Sequence, residues 1–104
     1  MLFGKKKKEE FVSQYGNLVM AIDDVIIDEK GQVGAIGTLK CEIKEFEHIS
    51  VVDKKDEIVE SDVIINELLT WEDKEDGSAE AGDEVSVMFY ATNKIKKGMY
   101  LVKK

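Results

Sequence analysis

Val85, Val87 and Phe89 alternate with Glu84, Ser86 and Met88 in a run that starts on the pair Gly82-Asp83, and this stretch restricts the fold more than any other part of the chain. A period of two sends one set of side chains inward and the other to water, which a strand does and a helix does not. Similar short runs recur. LVMAIDDVIID (18–28) is apolar and β-branched without helical caps and stops at Glu29-Lys30-Gly31, a turn signal. QVGAIGTLK (32–40) reads as the next strand, and Gly34 and Gly37 inside it mark a bulge or a sharp corner. EHISVVD (47–53) is another strand before a lysine-pair turn, and a further strand starts near Glu57. In VIINELLTW (63–71), Ile65, Leu69 and Trp71 fit alternation while Ile64, Ile65, Leu68 and Leu69 fit helical spacing; we read it as strand. An acid-rich loop, EDKEDGSAEAGD (72–83), leads into the opening run, Asn93-Lys94 makes a turn, and residues 99–103 close the chain. Six or seven short strands between glycine-bearing turns predict an all-β fold, and closure into a small antiparallel barrel is expected because it removes exposed sheet edges.

A length of 104 residues sets the scale at one domain, here 15–104, and a flexible basic leader is expected over 1–14, where four consecutive lysines repel one another. No apolar run approaches the roughly 20 residues of a membrane-spanning helix, and MLFGKKKKEE has no secretory apolar stretch behind its lysines, so a cytoplasmic address is expected. The net charge is −7, and every one of the 15 basic residues is lysine. Without arginine the chain lacks the bidentate fork that reads guanine edges, which argues against a DNA reader. Between Asp56 and Glu84 twelve acids face one lysine, Lys74, whereas Lys5 to Lys8 and Lys94, Lys96, Lys97, Lys103 and Lys104 load the two ends. If the ends meet in the fold, those nine lysines form one basic patch.

No reactive constellation stands out. His48, flanked by Glu47 and Ile49, is an ordinary strand residue unless a partner and a pocket surround it. Cys41 allows no internal disulfide and reads as a loop or core thiol unless a base lowers its pKa. The acids of 72–84 lack the spacing of a calcium loop, so no metal is expected. GQVGAIG (31–37) continues as strand instead of opening a helix, and no phosphate-binding loop exists anywhere, so no nucleotide cofactor is expected. Trp71, Tyr90 and Tyr100 are candidates for a base-stacking patch, with half-buried packing as the commoner role.

Taken together, Ile22 to Val25, Gly31 to Val33, Gly37, Ile43 with Lys44, the run Ala81-Gly82-Asp83-Glu84-Val85 and Gly98 to Leu101 resemble the second domain of translational GTPases such as elongation factor Tu, over about residues 17–104. The resemblance implies a six-stranded antiparallel barrel with adjacent first and last strands, and turns built on Gly31, Gly37, Gly82, Asp83 and Gly98. Cys41 and Phe46 stand where that family has glycine in its middle hairpin, so this turn is built differently. The GTPase engine is missing. The expectation is therefore a non-catalytic binding or adaptor module acting on a protein or ribonucleoprotein partner. The alternative is an RNA- or ribosome-binding protein using the lysine-rich ends, with affinity falling steeply as salt rises.

Overall fold

The computed structural model describes residues 11–70 and 77–104. The leader lysines Lys5 to Lys8, Trp71 and the first part of the acidic loop lie outside the described residues. The strands are β1 (Asn17–Ala21), β2 (Asp24–Ile27), β3 (Val33–Thr38), β4 (Ile43–Lys44), β5 (His48–Val52), β6 (Ile58–Ile64), β7 (Glu67–Thr70), β8 (Ser78–Ala79), β9 (Glu84–Phe89) and β10 (Tyr100–Lys103). All pairings are antiparallel, in two four-stranded sheets ordered β1-β10-β5-β6 and β2-β3-β9-β7, with a small β4-β8 ribbon. The first and last strands pair directly. No helix among the described residues is long and apolar enough to cross a membrane.

The fold is all-β, but no sheet closes on itself into the single six-stranded barrel expected from the sequence. The reason lies in three corners. At each, one buried apolar residue is followed by an exposed polar one, and their neighbouring amides donate to opposite sheets. Ile22 N–H bonds Met99 O at 2.9 Å while Asp23 N–H bonds Ile36 O at 2.7 Å. Leu39 N–H bonds Asp83 O at 2.9 Å and Lys40 N–H bonds Val19 O at 2.7 Å. Ile65 N–H bonds Glu47 O at 3.0 Å and Asn66 N–H bonds Met88 O at 2.8 Å. The buried side chain anchors the bend, its carbonyl also accepting from Gly98, Gly82 or Phe46 N–H in turn, and the following residue changes sheet, so each corner carries a few main-chain hydrogen bonds instead of a continuous ladder. This splits the run 18–28 into β1 and β2, and divides 63–70 between the end of β6 and β7. The acidic stretch read as loop also contributes β8, which pairs with β4.

Inward-facing Val85, Val87 and Phe89 join Ala35, Ile49, Val51, Leu101 and the three corner residues in one buried cluster. Met88, on the outward-facing set, is nevertheless buried: it lies over Gly34, where an added Cβ would come within 2.8 Å of its sulfur and 2.6 Å of Ile26 Cγ1. Edges are finished by side chains. Asp24 Oδ1 accepts from Val25 N–H on edge strand β2, Glu45 Oε2 accepts from Leu68 N–H on β7, and Asn93 Nδ2 donates to Val59 O on β6. Each occupies a strand group that would otherwise template association.

Two turns share one construction. Asp28 Oδ1 accepts from Lys30 N–H and Gln32 N–H, and Asp53 Oδ1 accepts from Lys55 N–H and Glu57 N–H. The third residue on takes positive φ, Gly31 at 83° in one and Asp56 at 63° in the other. Gln32 Nε2 also donates to Asp28 Oδ2, and Gln32 Oε1 accepts from Asn66 Nδ2, tying the β2-β3 hairpin to the third corner.

Hydrogen bonds from the Gln32 side chain and amide hold the Asp28 carboxyl below its ordinary value of 3.8, and those from Gln14 N–H and Ser13 Oγ do the same for Asp56. A depressed folded-state pKa contributes stability above the unfolded value that is lost as pH falls through the folded one. Urea midpoints are therefore expected to drop as pH goes from about 5 to about 2. Asp28→Asn and Asp56→Asn should each shrink that drop; an unchanged acid limb in both would show that neither carboxylate is responsible.

Candidate binding surfaces

Three surfaces have the shape or chemistry to engage a ligand. The first is on the outer face of the β2-β3-β9-β7 sheet. Strand register places Ile36 beside Ser86 and Ser86 beside Leu69, and the adjacent row brings Ile26, Gly34, Met88 and Glu67 together. Ser86 is short, so Ile36 and Leu69 wall an apolar trough of about 200 Å³ whose lining also includes Thr70, Glu84 and the strand at Val85. Leu69 and Ile26 are 44% and 43% exposed, high for aliphatic side chains on a sheet face. Glu67, Glu84 and Asp24 are the acids on this face.

The second surface is a polar cleft beside β5 and β6 that contains His48. His48 Nδ1 is 2.8 Å from Asp62 Oδ1, and Asp62 stands at φ 58° on the bulged part of β6, where its N–H donates to Ser50 Oγ at 3.0 Å. The sequence contains no hint of this imidazole–carboxylate pair, because the bulge turns Asp62 toward His48. Ser50 is bonded to the Asp62 amide and not to the imidazole, so the three do not form a nucleophile–base relay. Lys103, at the rim, donates to Glu42 O at 2.8 Å and reaches Glu47 Oε1 at 3.4 Å.

The third is a cleft of about 360 Å³ between the β5-β6 turn and the turn before β10, lined by Lys54, Lys55, Lys96, Lys97, Asp53 and Glu57. Gly98, at φ 92°, has no side chain to obstruct Lys54, whose Cε lies 3.1 Å from where a Cβ would stand. Among the described residues none of the four lysines is in an ion pair. The single basic patch expected from the chain ends does not form among these residues: Lys96 and Lys97 lie at the start of β10 with Lys54 and Lys55, while Lys103 lies at its other end. Lys54 and Lys55 read in sequence only as a solvated turn.

The remaining candidates are placed as follows. Gly82, at φ 95°, is in the turn before β9, where Asp83 Oδ2 accepts from Glu80 N–H at 3.0 Å. Gly37 is buried where β3 crosses β1, and a Cβ there would collide with Ala21 O. The middle turn is formed by Glu45 and by Phe46 at φ 75°, with Phe46 68% exposed. Cys41 is half-buried against the core with Sγ 3.9 Å from Leu18 O. Tyr90 is exposed just past β9, and Tyr100 is on β10 in the other sheet, so these two rings do not share a strand or a sheet. No group of three or more His, Cys, Asp and Glu among the described residues is arranged to hold a metal ion. No protein-family model matches the chain, and neither curated proteins nor solved structures include a match.

Proposed function

We propose that this chain is a cytoplasmic, non-catalytic protein-binding module related to the second domain of translational GTPases, working through the outer face of the β2-β3-β9-β7 sheet. The observation that carries the reading is the apolar trough between Ile36 and Leu69 on a sheet face rimmed by Glu67, Glu84 and Asp24. Desolvating exposed aliphatic surface returns about 25 cal/mol per Å², so an apolar side chain that fills the trough gains affinity there. The acidic rim selects partners that carry lysine or arginine on either side of that anchor and repels a phosphate backbone. The protein component of a free or ribonucleoprotein partner is therefore what this face takes. The resemblance in the Ala81 to Val85 turn and the direct pairing of β1 with β10 support the family reading.

Display selection of random peptides against the purified chain tests this. Retained peptides are expected to share one large apolar residue flanked by basic ones, and Leu69→Ser or Glu67→Lys should weaken a selected peptide at least about tenfold, equivalent to about 1.4 kcal/mol. Peptides with no such consensus, or affinities indifferent to both substitutions, would overturn the proposal.

A further inference from the structure

The β1-β10-β5-β6 sheet carries a feature unconnected with the apolar trough. Phe11 lies flat on Tyr100, ring centroids 3.8 Å apart and planes within 3°. Aromatic side chains in proteins favour offset or edge-to-face pairs with centroids about 4.5–7 Å apart. A close, face-to-face contact between parallel rings is instead the geometry in which a nucleobase rests on an aromatic side chain. Phe11 is held there by the residues that follow it: Ser13 Oγ donates to Asp56 Oδ1 at 2.6 Å and Gln14 N–H to Asp56 Oδ2 at 2.8 Å. Asp56 belongs to the same turn as Lys54 and Lys55. Tyr100 pairs with Val52 at the base of that turn and directly follows Met99, which lines the lysine cleft. A ring platform and four lysines thus share one end of one sheet.

We propose that Tyr100 and the cleft of Lys54, Lys55, Lys96 and Lys97 form a binding surface for single-stranded nucleic acid, and that Phe11 occupies the place of a stacked base until a strand displaces it. The chemistry is that of strand-binding surfaces in general: an aromatic face takes any base, and neighbouring cations follow the phosphates without reading sequence. Lysine is sufficient for that purpose, because phosphate tracking needs charge and not the guanidinium fork. Asp53 and Glu57 share the cleft, so the four lysines leave a net of two positive charges there, and Asp53 is bonded to the Lys55 and Glu57 amides. The segment from Phe11 to Gln14 acts as an intramolecular competitor, so the apparent affinity of the intact chain is reduced by the fraction of time the platform is covered.

Fluorescence anisotropy with 5′-labelled oligo-uridylate and oligo-thymidylate of about 12 nucleotides, at about 50 mM salt, tests the surface. Phe11→Ala is expected to bind several-fold more tightly than the parent. Ser13→Ala, which loosens the latch without changing charge, should do the same and serves if Phe11→Ala folds poorly. Adding Tyr100→Leu to either should weaken binding at least about fivefold, the low end for one lost base stack. Lys54→Gln with Lys97→Gln should lower the log-log salt slope by about 0.7 for each phosphate that is no longer neutralised. The stronger of the two oligonucleotides identifies which nucleic acid the surface prefers. Absence of binding by both loosened variants at low salt would overturn the proposal. So would equal affinity for a blunt duplex, or for heparin, with no effect of Tyr100→Leu, since a base-free polyanion cannot use the ring.

Discussion

Gly37→Ala is expected to destabilise the protein by about 3 kcal/mol, at the upper end for inserting one methyl into a packed site. The new Cβ would stand well inside van der Waals contact with the main-chain oxygen of Ala21, where β3 crosses β1. Relief requires the two backbones to part. The seam is pinned on both sides, by Asp23 N–H to Ile36 O at 2.7 Å and by Lys40 N–H to Val19 O at 2.7 Å, so parting them strains or breaks those bonds. Gly34→Ala is the informative comparison. There the three atoms nearest an added Cβ all belong to side chains, Ile26 Cγ1 at 2.6 Å, Met88 Sδ at 2.8 Å and Ser86 Oγ at 2.9 Å, which shift at lower cost than a main-chain oxygen. A loss of about 1 kcal/mol is expected at Gly34. Urea unfolding of the two variants measures the difference; equal losses would mean that the seam yields as readily as a methionine side chain.

Glu60→Ala is expected to cost about 2–3 kcal/mol. Glu60 is 7% exposed, and its Oε2 accepts from Thr92 N–H at 3.0 Å, Thr92 Oγ1 at 3.0 Å and Asn93 N–H at 2.6 Å. A hydrogen bond to a charged acceptor contributes about 1.5–3 kcal/mol, and donors left without one carry their own desolvation penalty. Removal of the carboxylate leaves two main-chain amides and a hydroxyl without their acceptor, where the chain leaves β9 for the lysine turn. Glu60→Gln retains an acceptor oxygen at that place and should cost about 1 kcal/mol. Amide hydrogen exchange provides the local reading: Thr92 and Asn93 should exchange faster in Glu60→Ala before any global loss. Unchanged exchange at both would show that the loop is held by something other than Glu60.

The extent to which this architecture is legible in sequence follows the range of the interactions that make it. Alternation in 84–89 places Val85, Val87 and Phe89 inside, because a strand's two faces are set by neighbouring residues. The same pattern misplaces Met88. Its burial depends on Gly34, a residue far away in the chain that leaves room for the sulfur on the outer face. The corners at 22–23, 39–40 and 65–66 are hidden for a similar reason. A buried apolar residue followed by an exposed polar one is also what uninterrupted alternation looks like, and only the choice of acceptor distinguishes a corner from a strand. Of the binding surfaces, Tyr100 is visible in sequence as a stacking candidate, while Phe11, Lys54 and Lys55 are not. One signal is present: residues 53–57, DKKDE, repeat the pattern of 28–32, DEKGQ, with Asp56 where the other turn has glycine. An aspartate accepting positive φ at a position suited to glycine is a departure that points to work for its side chain, here the bonds to Ser13 and Gln14.

By itself the sequence determined the all-β character, the half-buried faces and the aspartate-centred turns, since each is decided by groups within about five residues, where chain entropy barely opposes contact. Tertiary structure alone decided which sheet each strand joined, that the two sheets meet at three corners instead of in a closed ladder, and that Lys54 and Lys55 meet Lys96 and Lys97 beside Tyr100. Those outcomes join residues far apart along the chain. Packing of the shared core chooses among such distant partners, and no local pattern in the chain records the choice.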